Sequence, residues 1–214
     1  FRVINLRALY VPLERIKISL IMPDNSDEKK LQLIDVEKIF ASKNAKLLKR
    51  IPSFFIRYLK RIVHQDEINE LLMSSAGTEG FEFAGRCIDF IGIQVKTTGI
   101  ENIPNDGRYI FVSNHPLGGA DGMCLLQAIH QQVQTNPKIV SNDLLMNIKP
   151  LRSVMIGVNK HGGNSKENVA EMHRAFESDD PIIFFPAGLV SRRKCGKIED
   201  VTWKSTFVKK AFLH

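Results

Sequence analysis

Tyr109-Ile110-Phe111-Val112-Ser113-Asn114-His115-Pro116-Leu117-Gly118-Gly119-Ala120-Asp121-Gly122 changes character twice along its length. Its first four residues are β-branched or aromatic and predict a strand. A glycine-rich turn follows, and Gly122 to about Val133 reads as a helix. A strand that runs through a short loop into a helix begins a β-α unit. In an open α/β sheet, ligands gather at the carboxyl ends of such strands.

The same rhythm continues downstream. Lys138-Ile139-Val140 predicts a short strand, Asp143 to Ile148 a short helix, and Val154 to Val158 another strand. Asn164 opens a helix to about Ser178, with Glu167 three residues on to complete a capping box. Asp179-Asp180-Pro181 ends that helix, and Ile182-Ile183-Phe184-Phe185 reads as a buried strand. Just upstream, Phe90 to Thr98 carries Ile91, Ile93 and Val95 at alternate positions and predicts a strand, followed by a tight turn at Asn105-Asp106-Gly107. Alternating strands and helices give an α/β fold, a largely parallel sheet flanked by helices.

Before the sheet, Asp35 to about Arg86 reads as several short helices, with Pro52 and Gly77–Gly80 as punctuation. Lys43, Lys46, Lys49, Arg50, Arg57, Lys60 and Arg61 lie in one stretch without an acidic residue. Leu47, Leu48, Ile51, Phe54, Phe55, Ile56, Leu59 and Ile62 interleave with them at spacings of three and four. This basic amphipathic pattern suits an anionic membrane surface, where each Lys or Arg contributes on the order of 1 kcal/mol. A helical pair packing its apolar side on the domain has the same pattern, and nucleic acid attracts the same charges. The expected layout is an arm over 1–33 (a strand or a loose segment, with a turn at Pro23–Asp27), a basic, membrane-facing helical part over 34–89, and an α/β domain over 90–214. The chain starts at Phe1 rather than Met and ends at Phe212-Leu213-His214 with no stop signal, which reads as a fragment cut at both ends.

With 214 residues, 43% of them hydrophobic and 25% charged, the composition is that of an ordinary globular protein with one core. No run approaches the roughly 18 apolar residues of a membrane-spanning helix, and there is no secretory signal pattern. Cys87, Cys124 and Cys195 are far apart, with no CxxC pair, which argues for a reducing compartment and against metal or disulfide chemistry. His64, His130 and His173 stand at no metal spacing. The net charge of +7 gathers in the basic stretch.

His115 sits where chemistry is expected. An imidazole titrates near neutrality and can take a proton from a hydroxyl. It needs a carboxylate to fix its tautomer, and Asp121 lies within reach across a turn made pliant by Gly118 and Gly119. The alternative role for Asp121 is to cap the helix beginning at Gly122. A second segment, Phe184-Phe185-Pro186-Ala187-Gly188-Leu189-Val190-Ser191-Arg192-Arg193, ends a buried strand in a turn where Gly188 lets the backbone approach a ligand, followed by basic side chains. Taken alone, it is an ordinary strand-to-turn transition.

In this order and about 70 residues apart, the two segments resemble the glycerophospholipid acyltransferase superfamily, the lysophosphatidate acyltransferase relatives, over roughly Thr98 to Lys210. Members carry an Asn-His-x4-Asp block and later a Phe-Pro-Glu-Gly-Thr-Arg-Ser block. The resemblance implies an α/β enzyme working peripherally at the cytoplasmic face of the inner membrane. Such an enzyme holds no cofactor and uses acyl-CoA or acyl carrier protein as donor. It implies His115 and Asp121 as catalytic residues, and Asn114, Gly118, Gly119, Lys160, Pro186, Gly188, Ser191, Arg192 and Arg193 as substrate-binding. Lys160 comes from matching Gly157-Val158-Asn159-Lys160 to the family's middle block, where it replaces an arginine. The implied partners are a lipid acceptor, an anionic membrane met by Lys43 to Arg61 and acyl carrier protein, with no nucleic acid.

The departures point within the family. Five residues rather than four separate His115 from Asp121, Ala187 replaces the glutamate of the second block, and Val190 its arginine. The Asn-His-Pro-Leu-Gly-Gly and Phe-Pro-Ala-Gly forms are similar to a bacterial hemolysin-like branch that includes O-acyltransferases completing aminolipids such as glycine or ornithine lipids. A valine cannot meet a phosphate, so the expected acceptor is an N-(3-hydroxyacyl) amino acid. Lysophosphatidate is the alternative, and a basic membrane-binding module the non-enzymatic one. His161-Gly162-Gly163 is similar to a lipase oxyanion loop, but there is no Gly-x-Ser-x-Gly elbow, and no phosphate-binding glycine motif is present.

Overall fold

The computed structural model describes residues 2–6, 33–39, 41, 51–103, 107–158 and 166–213. They fall into two compact units, residues 1–16 with 79–214, and residues 17–78. Lys43, Lys46, Lys49, Arg50, Lys160, His161-Gly162-Gly163 and the expected capping residue Asn164 lie outside the described residues.

The larger unit is built on a parallel sheet. Its strands are β1 (Arg2–Leu6), β2 (Tyr109–Ser113), β3 (Lys138–Asn142), β4 (Met155–Val158) and β5 (Ile182–Phe184), in the spatial order β1-β2-β5-β3-β4. All pairings are parallel. The central strands are apolar throughout because both faces are covered: Tyr109, Ile110, Phe111 and Val112 are all at most 2% exposed. Ile110 and Val112 join Ile156, Ile182 and Phe184 in a cluster with Ala175 and Phe176 of the helix Lys166–Glu177. Phe207 and Ala211 of the last helix, Thr206–Leu213, pack against the same cluster. Helix Gly80–Ile91 packs on helix Gly119–Val133, and the Gln127 amide donates to the Phe81 carbonyl.

Chain order places β5 last yet in the middle. From β2 the chain crosses to β3, turns to its neighbour β4, and returns through Lys166–Glu177 to fill the gap between β2 and β3. Val112 stands opposite Phe184, so the segments leaving β2 and β5 emerge side by side from the carboxyl edge. A separate antiparallel hairpin, β6 (Arg192–Lys194) and β7 (Lys197–Glu199), follows β5.

The smaller unit holds helices α1 (Ser53–Ile62) and α2 (Gln65–Ser74), joined at His64 in the left-handed conformation. Asn69 clamps Ile34 through both main-chain atoms, at 2.7 and 2.9 Å, and Lys60 pairs with Glu37 at 2.6 Å. The helices in the larger unit are α3 (Gly80–Ile91), α4 (Gly119–Val133), α5 (Lys166–Glu177) and α6 (Thr206–Leu213). Among the described residues, no helix is long and apolar enough to cross a membrane.

One expected strand is not there. Phe90 and Ile91 end α3, and residues 93–98 form neither strand nor helix. Gly92, at φ 72°, stops the helix in a left-handed cap, with its N–H on the Asp89 carbonyl at 3.0 Å and that of Ile93 on Ile88 at 3.1 Å. Helix α4 starts at Gly119, three residues before the expected Gly122, which makes Asp121 a first-turn residue rather than the cap.

Candidate active site

The edge where β2 and β5 end side by side carries both motifs. His115 leaves β2 two residues past its end, and its imidazole lies on the Phe185 ring, centroids 3.9 Å apart at 24°. Phe185 is the first residue after β5, so the second motif supplies the wall against which the first motif's histidine stands.

Asp121 approaches from the other side. Its Oδ2 is 3.2 Å from His115 Nδ1, and the two side chains are 1% and 18% exposed. The pair is a close charge contact rather than a formed hydrogen bond, and His115 Nδ1 and Asp121 Oδ1 are both buried without a hydrogen-bond partner. Oδ2 also accepts the Leu117 N–H at 2.8 Å. The carboxylate therefore reaches back over the turn from the third residue of α4, where the positive end of the helix favours its charge.

The glycines make that turn. Gly118 has φ 69° and ψ −129°, a region open only to glycine. A Cβ there would come within 3.4 Å of Val190 Cγ2, so the loop after β2 and the loop after β5 touch. The extra residue between His115 and Asp121 is absorbed here, with Gly118 turning and Gly119 starting the helix.

Of the remaining expected residues, Asn114 accepts the Ser113 hydroxyl at 3.3 Å. Pro186 is buried and its carbonyl accepts the Lys204 N–H at 3.1 Å. Gly188 turns at φ 64° with its N–H on the Phe185 carbonyl at 2.9 Å. The Ser191 N–H donates to the His115 carbonyl at 2.8 Å. Arg192 and Arg193 are exposed on β6, opposite Glu199 and Ile198. The first and second motifs thus meet, while Lys160 lies outside the described residues.

Two contributors had no motif to announce them. Asp200 accepts the His115 N–H at 3.2 Å and the Ser191 hydroxyl, and Trp203 donates its indole N–H to Asp200 at 2.8 Å. One turn along α4, burial and the Asp121 charge both push the Cys124 thiol above its ordinary range.

A family profile described as acyltransferase matches residues 38–214. The chain belongs to this acyltransferase family. Among its acyltransferase relatives, the lyso-glycine lipid O-acyltransferase of Bacteroides thetaiotaomicron is 46% identical over 181 residues, 85% of this chain and 66% of the relative. The lyso-glycine lipid O-acyltransferase of Phocaeicola vulgatus is 45% identical over 179 residues, 84% of this chain and 64% of the relative. The chain therefore spans just under two thirds of the length of these curated relatives. Their names agree with the aminolipid branch to which the departures in the two motifs pointed. No solved structure matches the chain.

Proposed function

We propose that this chain is the catalytic part of an O-acyltransferase that moves a fatty acyl chain from a thioester to the hydroxyl of an N-(3-hydroxyacyl) glycine. The observation that carries the proposal is the His115 imidazole, set between the Asp121 carboxylate and the Phe185 ring at the ends of two adjacent strands. With Nδ1 facing Asp121, the tautomer that serves catalysis carries its proton on Nδ1 and leaves Nε2 to act as base. His115 takes the hydroxyl proton as the oxygen attacks the thioester carbonyl. The C–S bond then breaks, and the thiolate leaves with the proton from the imidazolium. Asp121 stabilises that imidazolium without itself becoming protonated. No nucleophile on the enzyme is needed, because the acceptor's own oxygen attacks. The donor is acyl-CoA or an acyl carrier protein thioester, and neither is a resident cofactor.

Acceptor choice rests on Val190. It packs over the Gly118 turn, where an arginine would offer a phosphate a guanidinium fork. A valine there favours an acceptor without a phosphomonoester, in keeping with the names of the 46% and 45% identical relatives. Arg192 and Arg193, exposed on the neighbouring hairpin, would meet the glycine carboxylate. Those arginines also support a second reading, lysophosphatidate as acceptor. A side-by-side assay of the full-length enzyme with both acceptors decides: higher kcat/KM with lysophosphatidate overturns the glycine-lipid proposal. Absence of any thioester turnover would leave only a membrane-binding module.

Work at the cytoplasmic face of the inner membrane is part of the proposal, and α1 supports its membrane contact. Phe54, Tyr58 and Ile62 recur at intervals of four along the helix and are 71%, 57% and 52% exposed, with Arg57 and Arg61 beside them. Large exposed side chains flanked by cations suit an interface of anionic lipid.

A further inference from the structure

Asp200 lies outside both sequence motifs, yet its carboxylate ties them together. Oδ1 accepts the main-chain N–H of His115 at 3.2 Å and the Ser191 hydroxyl, and Oδ2 accepts the Trp203 indole N–H at 2.8 Å. The Ser191 N–H donates in turn to the His115 carbonyl at 2.8 Å. Both main-chain polar atoms of His115 are therefore held by the segment that follows β5, while Asp121 and Phe185 hold its ring. Three donors converge on one carboxyl group, whose two oxygens have acceptor sites for all of them. Such charge-assisted bonds are about twice as strong as neutral ones. The hairpin creates the meeting: Arg192 pairs with Glu199, so Ser191 and Asp200 face each other as the next pair along.

We propose that Asp200 is a positioning residue for the acyl transfer. It fixes the main chain of His115 to the second motif, so the imidazole keeps its line to the acceptor hydroxyl. The inference rests on His115 being the base, but part of its test does not.

The experiment uses the full-length protein with an acyl thioester donor and N-(3-hydroxyacyl) glycine. Asp200→Ala should lower kcat roughly 10–100-fold, because displacements of about 1 Å at a reacting group cost on that order. KM should stay within about twofold. Asp200→Asn keeps an oxygen for His115 and Ser191 but sets an amide N–H2 against the Trp203 N–H. Adding Trp203→Phe removes that clash, so the double variant should recover most of the activity that Asp200→Asn loses, a comparison that stands even if Asp200→Ala does not fold. In a His115→Ala background, Asp200→Ala should change kcat no further, since the group it positions is gone. Without any substrate, the His115 main-chain N–H should exchange about tenfold faster in Asp200→Ala, where it has lost its acceptor, than in the parent. Unchanged exchange at that N–H overturns the proposal, as does an undiminished effect of Asp200→Ala in the His115→Ala background. Normal turnover by His115→Ala would instead sink the assignment of the base, with the exchange result still deciding the role of Asp200.

Discussion

Gly122 in α4 and Ile139 in β3 meet so closely that a Cβ on the glycine would stand 2.7 Å from the isoleucine Cδ1. A side chain at position 122 would require the end of the Ile139 side chain to move, and Asp121 is the immediate neighbour of that glycine. Gly122→Ala should destabilise by about 1 kcal/mol, an overpacking cost of roughly 1–3 kcal/mol against roughly 1 kcal/mol gained by alanine in a helix. Ile139→Val deletes the offending methyl and should recover the loss in the double variant. Urea unfolding of the four proteins measures the coupling, and strictly additive effects would contradict the contact.

His115→Ala should lower kcat by roughly 10²–10⁴-fold, the usual contribution of a positioned general base. Substrate affinity should hardly change, since the imidazole acts on a proton rather than on binding. Asp121→Asn removes the charge that supports the imidazolium, and a loss of at least about 10² is expected. Steady-state kinetics of both variants in the full-length enzyme provide the check, and near-parental kcat in either would remove that residue from the mechanism.

Val190→Arg places a guanidinium beside the Gly118 turn. Val190 is 45% exposed, so the longer side chain has room and keeps its contact with water. One new charge-assisted hydrogen bond to phosphate is worth roughly 1.5–3 kcal/mol. The ratio of kcat/KM for lysophosphatidate over N-(3-hydroxyacyl) glycine should therefore rise about tenfold or more. No change in that ratio would detach acceptor choice from position 190.

Phe54→Ala and Tyr58→Ala should each weaken binding to vesicles containing anionic lipid, measured by co-sedimentation, without altering the thermal midpoint. Both side chains are already in water, so the fold loses little with them. Binding of the parent should fall as salt rises, because exposed charges are screened over about 8 Å at physiological ionic strength. Unaltered binding by the double variant would mean that α1 is not the docking face.

The thiols should separate cleanly under alkylation. Burial pushes Cys87 up to about 12, and Cys124 is raised as well, whereas Cys195 is exposed at the hairpin turn. N-ethylmaleimide at neutral pH is expected to label Cys195 in the native protein and the other two only after unfolding, as read by peptide mass spectrometry. Cys87 also sets a pH dependence. An unfolded thiol loses its proton near 9 while the folded one keeps it to about 12, so this contribution to stability is complete below pH 9 and is lost between pH 9 and 12.

The strands were legible because parallel strands covered on both faces are written as short apolar runs, such as Tyr109-Ile110-Phe111-Val112 and Ile182-Ile183-Phe184. Ile91, Ile93 and Val95 misled because three alternating positions are too few to fix a period. The helical spacing of Phe83, Cys87 and Ile88, all buried in α3, carried through to the Gly92 cap. His115 and Asp121 could be read together because both lie on one local turn. Asp200 could not, since its reach to His115 depends on hairpin register. The readable signal was Cys195-Gly196, both at positive φ (49° and 81°) between Lys194 and Lys197, a two-residue turn that fixes Ser191 opposite Asp200. Strand order left no local trace at all.

That order has a consequence for synthesis. Until Ile182–Phe184 leave the ribosome, the chain can form only two separate ribbons, β1 with β2 and β3 with β4, each with a main-chain edge still open. The three residues of β5 then bond to Ile110–Val112 on one side and to Lys138–Ile139 on the other, and seal both edges at once. Open strand edges are sticky. The interval between translating residue 158 and residue 184 is thus the period in which the nascent protein most needs shielding from its neighbours.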